Sequence, residues 1–137
     1  MKEICADLAK EQEELDAVVA DLDEAGWNTM TPAEGWNIKD QIRHLAYFDD
    51  RAKLAATDSE AFKQYLQKSL QDLGSYLKHL ENAGKELSGA QVLQWWRGER
   101  QALLDAIAPT FLRLPSCPPR CVKACSSKCR KKCNNNR

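Results

Sequence analysis

The sequence predicts an all-α fold, and three features of its patterning lead to that prediction. Apolar residues recur at three-, four- and seven-residue steps through most of residues 1–110, as they do on one face of a helix. Glycine, proline and short polar residues stand between the periodic stretches, where helices begin and end. After Leu114 the periodicity gives way to Pro, Cys, Lys, Arg and Asn. We therefore predict a helical body at residues 1–110 and a basic, Cys-rich, disordered tail at residues 111–137.

The first periodic stretch predicts one long amphipathic helix over residues 2–26. Its apolar positions include Ile4, Leu8 and Leu15, and acidic residues fill the other faces. Gly26 is predicted to end this helix, because glycine commonly follows the last helical residue. A structured loop pinned by two tryptophans is expected to follow at residues 27–36.

A second helix is predicted to begin directly after Asn37 and to run to about residue 56. Asparagine is a favourable N-cap, and Asp40 falls at the third helical position, near the positive end of the helix dipole. A third helical region is expected from residue 59 to about residue 73. There Gly74 is predicted to interrupt it before the apolar pattern resumes.

The last helix of the body is predicted over residues 89–108. Ser88 is its expected N-cap, and Pro109 is expected to end it. Trp95 and Trp96 are adjacent, so we expect at least one of them to lie in the core. Arg97 and Arg100 are predicted to form a solvated face, with contact to an anionic substrate as the alternative, and His79 is predicted at the surface.

Charge is distributed unevenly between body and tail. Residues 1–110 carry twelve Lys and Arg against twenty Asp and Glu, whereas residues 111–137 carry eight Lys and Arg and no acidic residue. Such a tail can fold back on the body or bind an acidic partner such as nucleic acid. We favour the first, because the opposite charge is tethered nearby and no aromatic residues interleave the basic ones.

The location of the protein is predicted from what the sequence lacks. It contains no apolar run of the length that crosses a bilayer, so we expect no membrane partner. The charged N-terminal residues Met1, Lys2 and Glu3 show no secretory signal. We expect the protein in a reducing cytoplasm.

The most specific pattern of the sequence lies between Thr31 and Ala46. A loop ending in Gly-Trp is followed by a helix that carries the run Asp-Gln-Ile-Arg-His-Leu, whose histidine is His44. This run resembles the mycothiol-dependent maleylpyruvate isomerase N-terminal domain family, within the DinB-like superfamily. The opening helix and the later Gln-Trp-Trp-Arg run, which ends at Arg97, are similar to the same family.

The resemblance implies a DinB-like up-down bundle of four helices with a long crossover between the second and third. It also implies a divalent metal, zinc or nickel, held by His44 and by a Glu-x-x-x-His pair on the fourth helix. The metal would activate mycothiol, a small thiol, in a thiol-transfer or isomerisation reaction. The implied partners are a small thiol or another small-molecule substrate.

The sequence departs from this family pattern at its end. His44 and His79 are the two histidines of the chain, so the Glu-x-x-x-His pair is absent and two of three expected ligands are missing. The fourth bundle helix is therefore predicted to be lacking, which leaves catalysis open. A truncated or frame-shifted product and a fusion to a new tail both fit. We expect an apolar groove in its place, filled by residues 59–83 or shared by two chains of a homodimer.

Five cysteines recur at every fourth residue of the tail, from Cys117 to Cys133. On a helix, neighbouring thiols such as those of Cys121, Cys125 and Cys129 could bind a soft metal. The basic residues around them lower the thiol pKa and so favour the thiolate, the form that binds metal. Structural zinc sites more often use Cys-x-x-Cys pairs, which the tail does not contain. Two interpretations of the protein follow: a relative of metal-dependent mycothiol enzymes, or a non-catalytic helical scaffold with a thiol-rich tail that binds soft metals or partners.

Overall fold

The computed structural model describes the backbone of residues 2–112 and the side chains of residues 4–108. Within that part of the chain the regular structure is helical and contains no strand, as predicted, although an isolated bridge joins Met30 and Asn37. The helices are α1 (Lys2–Val19), α2 (Glu24–Trp27), α3 (Ile38–Thr57), α4 (Ser59–Gln71), α5 (Leu73–Asn82) and α6 (Gly89–Leu112). Residues 113–137 lie outside it, so the division into a body and a disordered tail stays a prediction.

The predicted single helix over residues 2–26 is wrong at its C-terminal end. Helix α1 stops at Val19, and α2 begins after its own N-cap, Asp23, whose carboxylate accepts a 2.7 Å hydrogen bond from the backbone N–H of Gly26. A short acidic side chain that bonds nearby backbone in this way competes with helix continuation. Gly26 thus lies inside α2, and the turn brings Trp27 into the core.

The predicted start of α3 is confirmed. The backbone N–H of Asp40 donates to Asn37 Oδ1 at 2.8 Å, and the backbone N–H of Asn37 donates to Asp40 Oδ2 at 3.2 Å. This reciprocal capping box satisfies two backbone donors that the first turn would otherwise leave unpaired. Gly35, at φ 78°, turns the preceding loop and places Trp36 beside the first turns of α3.

The predicted interruption near Gly74 is found two residues earlier, and the predicted end of the last helix at Pro109 is wrong. The chain breaks at Asp72, which ends α4 and caps α5 by accepting from the backbone N–H of Ser75 at 3.0 Å, so Gly74 falls within α5. Helix α6 continues past Pro109 to Leu112. A proline removes only one hydrogen bond of a helix that is already formed upstream, so it does not have to end it.

Helices α3 and α6 run side by side in the same direction and hold most of the core. Along both helices, successive residues pair in order: Asp49 lies near Trp96, and Lys53 donates to Glu99 at 2.6 Å. Helix α1 runs antiparallel on α6. The core residues are Val19, Trp27, Ile42, Ala46, Val92, Leu93 and Trp96.

The segment that carries α4 and α5 packs on the side of α3 that carries Tyr47. Tyr47 and Tyr65 share a 3.1 Å hydrogen bond between their hydroxyls, and Arg43 donates to the backbone carbonyls of Glu81 and Ala83 at 3.0 and 2.6 Å. A groove lies between α1 and α3, and neither α4 nor α5 contributes a residue to it. The expectation that residues 59–83 fill that groove is therefore wrong, because these bonds hold them elsewhere on α3.

None of the described helices combines the length and the apolar character that crossing a bilayer requires.

Candidate functional site

A cleft of about 490 Å³ opens between the loop before α3, the first half of α3 and the end of α5. Its apolar wall is formed by Trp36, Leu77 and Leu80, and its charged groups include the half-buried Asp40 and the exposed Lys85. Clefts of this size suit small molecules, which they hold by apolar contact and orient with a few polar groups.

His44, the predicted metal ligand, lies in the wall of this cleft. Its ring is held between Trp36, edge-on at a centroid distance of 5.2 Å, and Phe48 at 4.6 Å. The Nδ1 atom of His44 is buried and finds no hydrogen-bond partner among the described residues. Buried polar atoms are normally paired, so this nitrogen marks the cleft as a place where packing alone does not explain the side chain.

Arg43 also lines the cleft, but its donors serve the fold. Besides its two bonds to the carbonyls of Glu81 and Ala83, its Nη2 donates to Asp40 Oδ1 at 2.7 Å. These bonds join α3 to the C-terminal end of α5, and they leave only Nε without a partner among the described residues. Arg43 is therefore a positioning residue that shapes the cleft.

The residues around His44 do not fit a resident divalent metal. No cluster of three or more His, Cys, Asp or Glu side chains arranged to hold an ion exists among the residues whose side chains are described. The nearby Asp40 is engaged by the capping box and by Arg43. A single imidazole supplies one of the three or four ligands that zinc requires. The other predicted ligands, Cys121, Cys125 and Cys129, lie outside the described residues.

A second concavity, of about 250 Å³, lies on α3 away from α4 and α5. It is a groove between α1 and α3, walled by Leu8, Leu15 and Leu45 and floored by the buried Trp96. An open groove between these helices agrees with the absence of a fourth bundle helix among the described residues. We call it the α1–α3 groove.

Two polar side chains that no sequence pattern singles out, Gln12 and Asp49, line the α1–α3 groove. Gln12 is only 8% exposed, and its Oε1 has no partner in the described part of the chain; the same holds for Asp49 Oδ2. Burial raises the pKa of Asp49, and the charge of Glu99 raises it further, against a lowering hydrogen bond from Trp96 and the positive charge of Arg100. The groove thus combines apolar walls with two hydrogen-bond acceptors.

Arg97 is exposed, as predicted for a solvated face, whereas Arg100 is half-buried, and both side chains pair with one carboxylate of α1. Arg97 donates to both carboxylate oxygens of Asp16, at 2.8 and 2.6 Å, and Arg100 lies 2.6 Å from the same carboxylate. The hydrogen bond from Arg97 lowers the pKa of Asp16, and the positive charges of both arginines add to this. The pair fastens α1 to α6, so it is not available to a substrate.

A known family pattern and two curated relatives match most of the chain. The sequence pattern of the mycothiol maleylpyruvate isomerase N-terminal domain matches residues 8–114. Two uncharacterized proteins of Mycobacterium tuberculosis, from the strains CDC 1551 / Oshkosh and H37Rv, are each 35% identical over 102 residues. Those residues make up 74% of this chain and 40% of each relative, so the chain spans less than half the length of these relatives.

No solved structure matches the chain with significance. The family pattern covers most of the helical body, including the cleft around His44 and the α1–α3 groove. The chain belongs to the mycothiol maleylpyruvate isomerase N-terminal domain family.

Proposed function

We propose that the cleft around His44 binds a small thiol, with mycothiol as the first candidate, and that the described residues alone do not complete a catalytic metal site. The observation that carries this proposal is His44 itself. Its ring is fixed by Trp36 and Phe48 in the wall of a cleft large enough for a small molecule, and its buried Nδ1 has no partner among the described residues.

The composition of the cleft supports a ligand of mixed character. Trp36, Leu77 and Leu80 offer apolar contact, while Glu34 and Lys85 at the edge offer an acceptor and a donor to a polar ligand. An imidazole held in such a wall can accept a proton from a thiol or donate a hydrogen bond to a thiolate. Membership of the family supports the thiol as the ligand class.

The test is a calorimetric titration of the full chain with mycothiol under reducing conditions, which match the cytoplasmic location that we propose. His44→Ala should weaken binding by about tenfold or more, since it removes both the imidazole and the packing of Trp36. His79→Ala is the matched control: it removes the other histidine, which contacts Tyr47 and does not line the cleft. Equal affinity in the wild type and in His44→Ala would contradict the proposal.

We further propose that Cys121, Cys125 and Cys129 bind a soft metal, which is the alternative that the cysteine spacing supports. The test is elemental analysis of the full chain loaded with zinc under reducing conditions. Zinc should be lost when the three cysteines are replaced by serine and retained in His44→Ala. Zinc that is lost in His44→Ala and retained without the cysteines would instead place a metal in the cleft.

A further inference from the structure

The α1–α3 groove is built to receive a side chain that carries both apolar length and hydrogen-bond donors. Its walls are leucines, its floor is the indole of Trp96, and Leu45 on its rim keeps 37% of its surface exposed. Such a surface gains free energy when an apolar group covers it.

The two unpaired groups inside the groove are both acceptors. Gln12 Oε1 and Asp49 Oδ2 are buried without a partner in the part of the chain that the structure describes. A buried acceptor left unpaired is costly, and a buried carboxylate is costlier than an amide oxygen. The complementary group is therefore a cation with several N–H donors on a hydrocarbon stem, which describes the side chain of Arg or Lys.

We propose that the α1–α3 groove is the docking site of the chain's own basic segment, residues 113–137, which inserts an Arg or Lys side chain between Gln12 and Asp49. Charge favours this occupant. The segment carries eight basic residues and no acidic one, whereas residues 1–110 have eight more acidic than basic residues. Tethering raises the local concentration of the segment above that of any partner in solution.

The direction of α6 brings the segment to the correct end of the groove. Helix α6 runs antiparallel to α1: Gly89 bonds to Glu24, Arg97 to Asp16 and Arg100 to the carbonyl of Gln12. Leu112 therefore lies at the end of the body where α1 begins. The groove is lined by α1 from Leu8, close to that end.

The length and composition of the segment allow it to turn back along the groove. On α1 the groove runs from Leu8 to Leu15, a rise of about 10 Å at the helical spacing. The twenty-five residues after Leu112 exceed this distance in any backbone conformation. Pro115, Pro118 and Pro119 oppose a straight continuation of α6, which favours a change of direction there.

Proximity cross-linking of the full chain tests this docking, because the tail carries five cysteines. In a Cys5→Ser background, Leu45→Cys and, on the opposite wall, Glu11→Cys place one thiol at the groove. Lys78→Cys on the exposed face of α5 is the control. A short bis-alkylating reagent is added under reducing conditions, and cross-links within one chain are mapped by mass spectrometry. Circular dichroism verifies that each variant is folded.

We expect cross-links from position 45 or 11 to the tail to exceed those from position 78 by about tenfold, because docking raises the effective concentration. Adding Asp49→Asn, or raising the salt concentration, should lower this excess several-fold. Equal yields at the groove and at position 78 would overturn the proposal. Cross-links between chains that grow with protein concentration would overturn it as well, since a second copy would then occupy the groove. Neither result bears on thiol binding in the His44 cleft.

Discussion

The three long helices α1, α3 and α6 and the crossover helices α4 and α5 all show apolar periodicity, but they differ in burial. All the buried apolar side chains that form the core cluster belong to the three long helices and to α2, whereas α4 and α5 contain no buried residue. The crossover is attached to α3 chiefly through tyrosine hydroxyls, ring contacts and the bonds of Arg43. Periodicity identifies a helix, and its neighbours decide how much of its apolar face is buried.

The largest expected difference between these regions concerns two glycines. A Cβ at Gly89 would overlap the ring of Trp27, whereas a Cβ at Gly74 in α5 would meet only Asp72 Oδ1 at 3.8 Å. Gly89→Ala should cost about 3 kcal/mol by overpacking the core. Gly74→Ala should leave stability unchanged or raise it by about 0.5 kcal/mol. Urea denaturation measures both, and a similar effect of the two substitutions would break the comparison.

A matched pair of leucines tests the same contrast through cavity formation. Leu93 in α6 is 6% exposed, and Leu70 in α4 is 77% exposed. Leu93→Ala should lower the free energy of unfolding by about 2–4 kcal/mol, because it removes buried methyl groups and leaves a cavity. Leu70→Ala should change it by less than about 0.5 kcal/mol. A large loss at Leu70 would mean that α4 is covered by something outside the described residues.

Two aspartates compare the two sides of α1. On one side Asp16 joins α1 to α6 through ion pairs, and on the other Asp49 lines the open α1–α3 groove. Hydrogen bonding to Arg97 lowers the pKa of Asp16, so its contribution to stability is present at neutral pH and is lost as the pH falls through the titration of the carboxyl. Burial raises the pKa of Asp49, so its charged form opposes folding at neutral pH, and that penalty disappears as the pH falls.

Asp16→Asn should therefore destabilise the protein at pH 7 by about 1 kcal/mol, with a smaller loss at acid pH. With the tail docked as proposed, Asp49 pairs with an Arg or Lys side chain, so Asp49→Asn should also destabilise the full chain at pH 7. High salt weakens that pair, and the substitution should then be neutral or stabilising, because it removes a carboxylate whose charged form is penalised by burial. Thermal denaturation between pH 3 and pH 7, at low and at high ionic strength, measures both substitutions. A neutral or stabilising effect of Asp49→Asn at low salt would show that no cation of the tail pairs with Asp49.

Features set by residues close together in the chain could be predicted from the sequence. The all-α class, the capping box of Asn37 and Asp40, and the family motif around His44 all depend on bonds or spacings of a few residues. The boundaries that we placed wrongly, at Gly26, Gly74 and Pro109, come from the same local rules. There a neighbouring aspartate or an already formed helix outweighed the glycine or proline.

Only the tertiary structure decided the partners of side chains that are distant in the sequence. Asp16 and Arg97 are 81 residues apart, and no periodicity of either helix shows that they form an ion pair across the α1–α6 seam. The unpaired acceptor atoms Gln12 Oε1 and Asp49 Oδ2 could not be predicted either, since nothing in the local sequence shows that these two helices line one groove. Helix formation follows from hydrogen bonds over four residues, whereas burial depends on which surfaces the whole chain brings together.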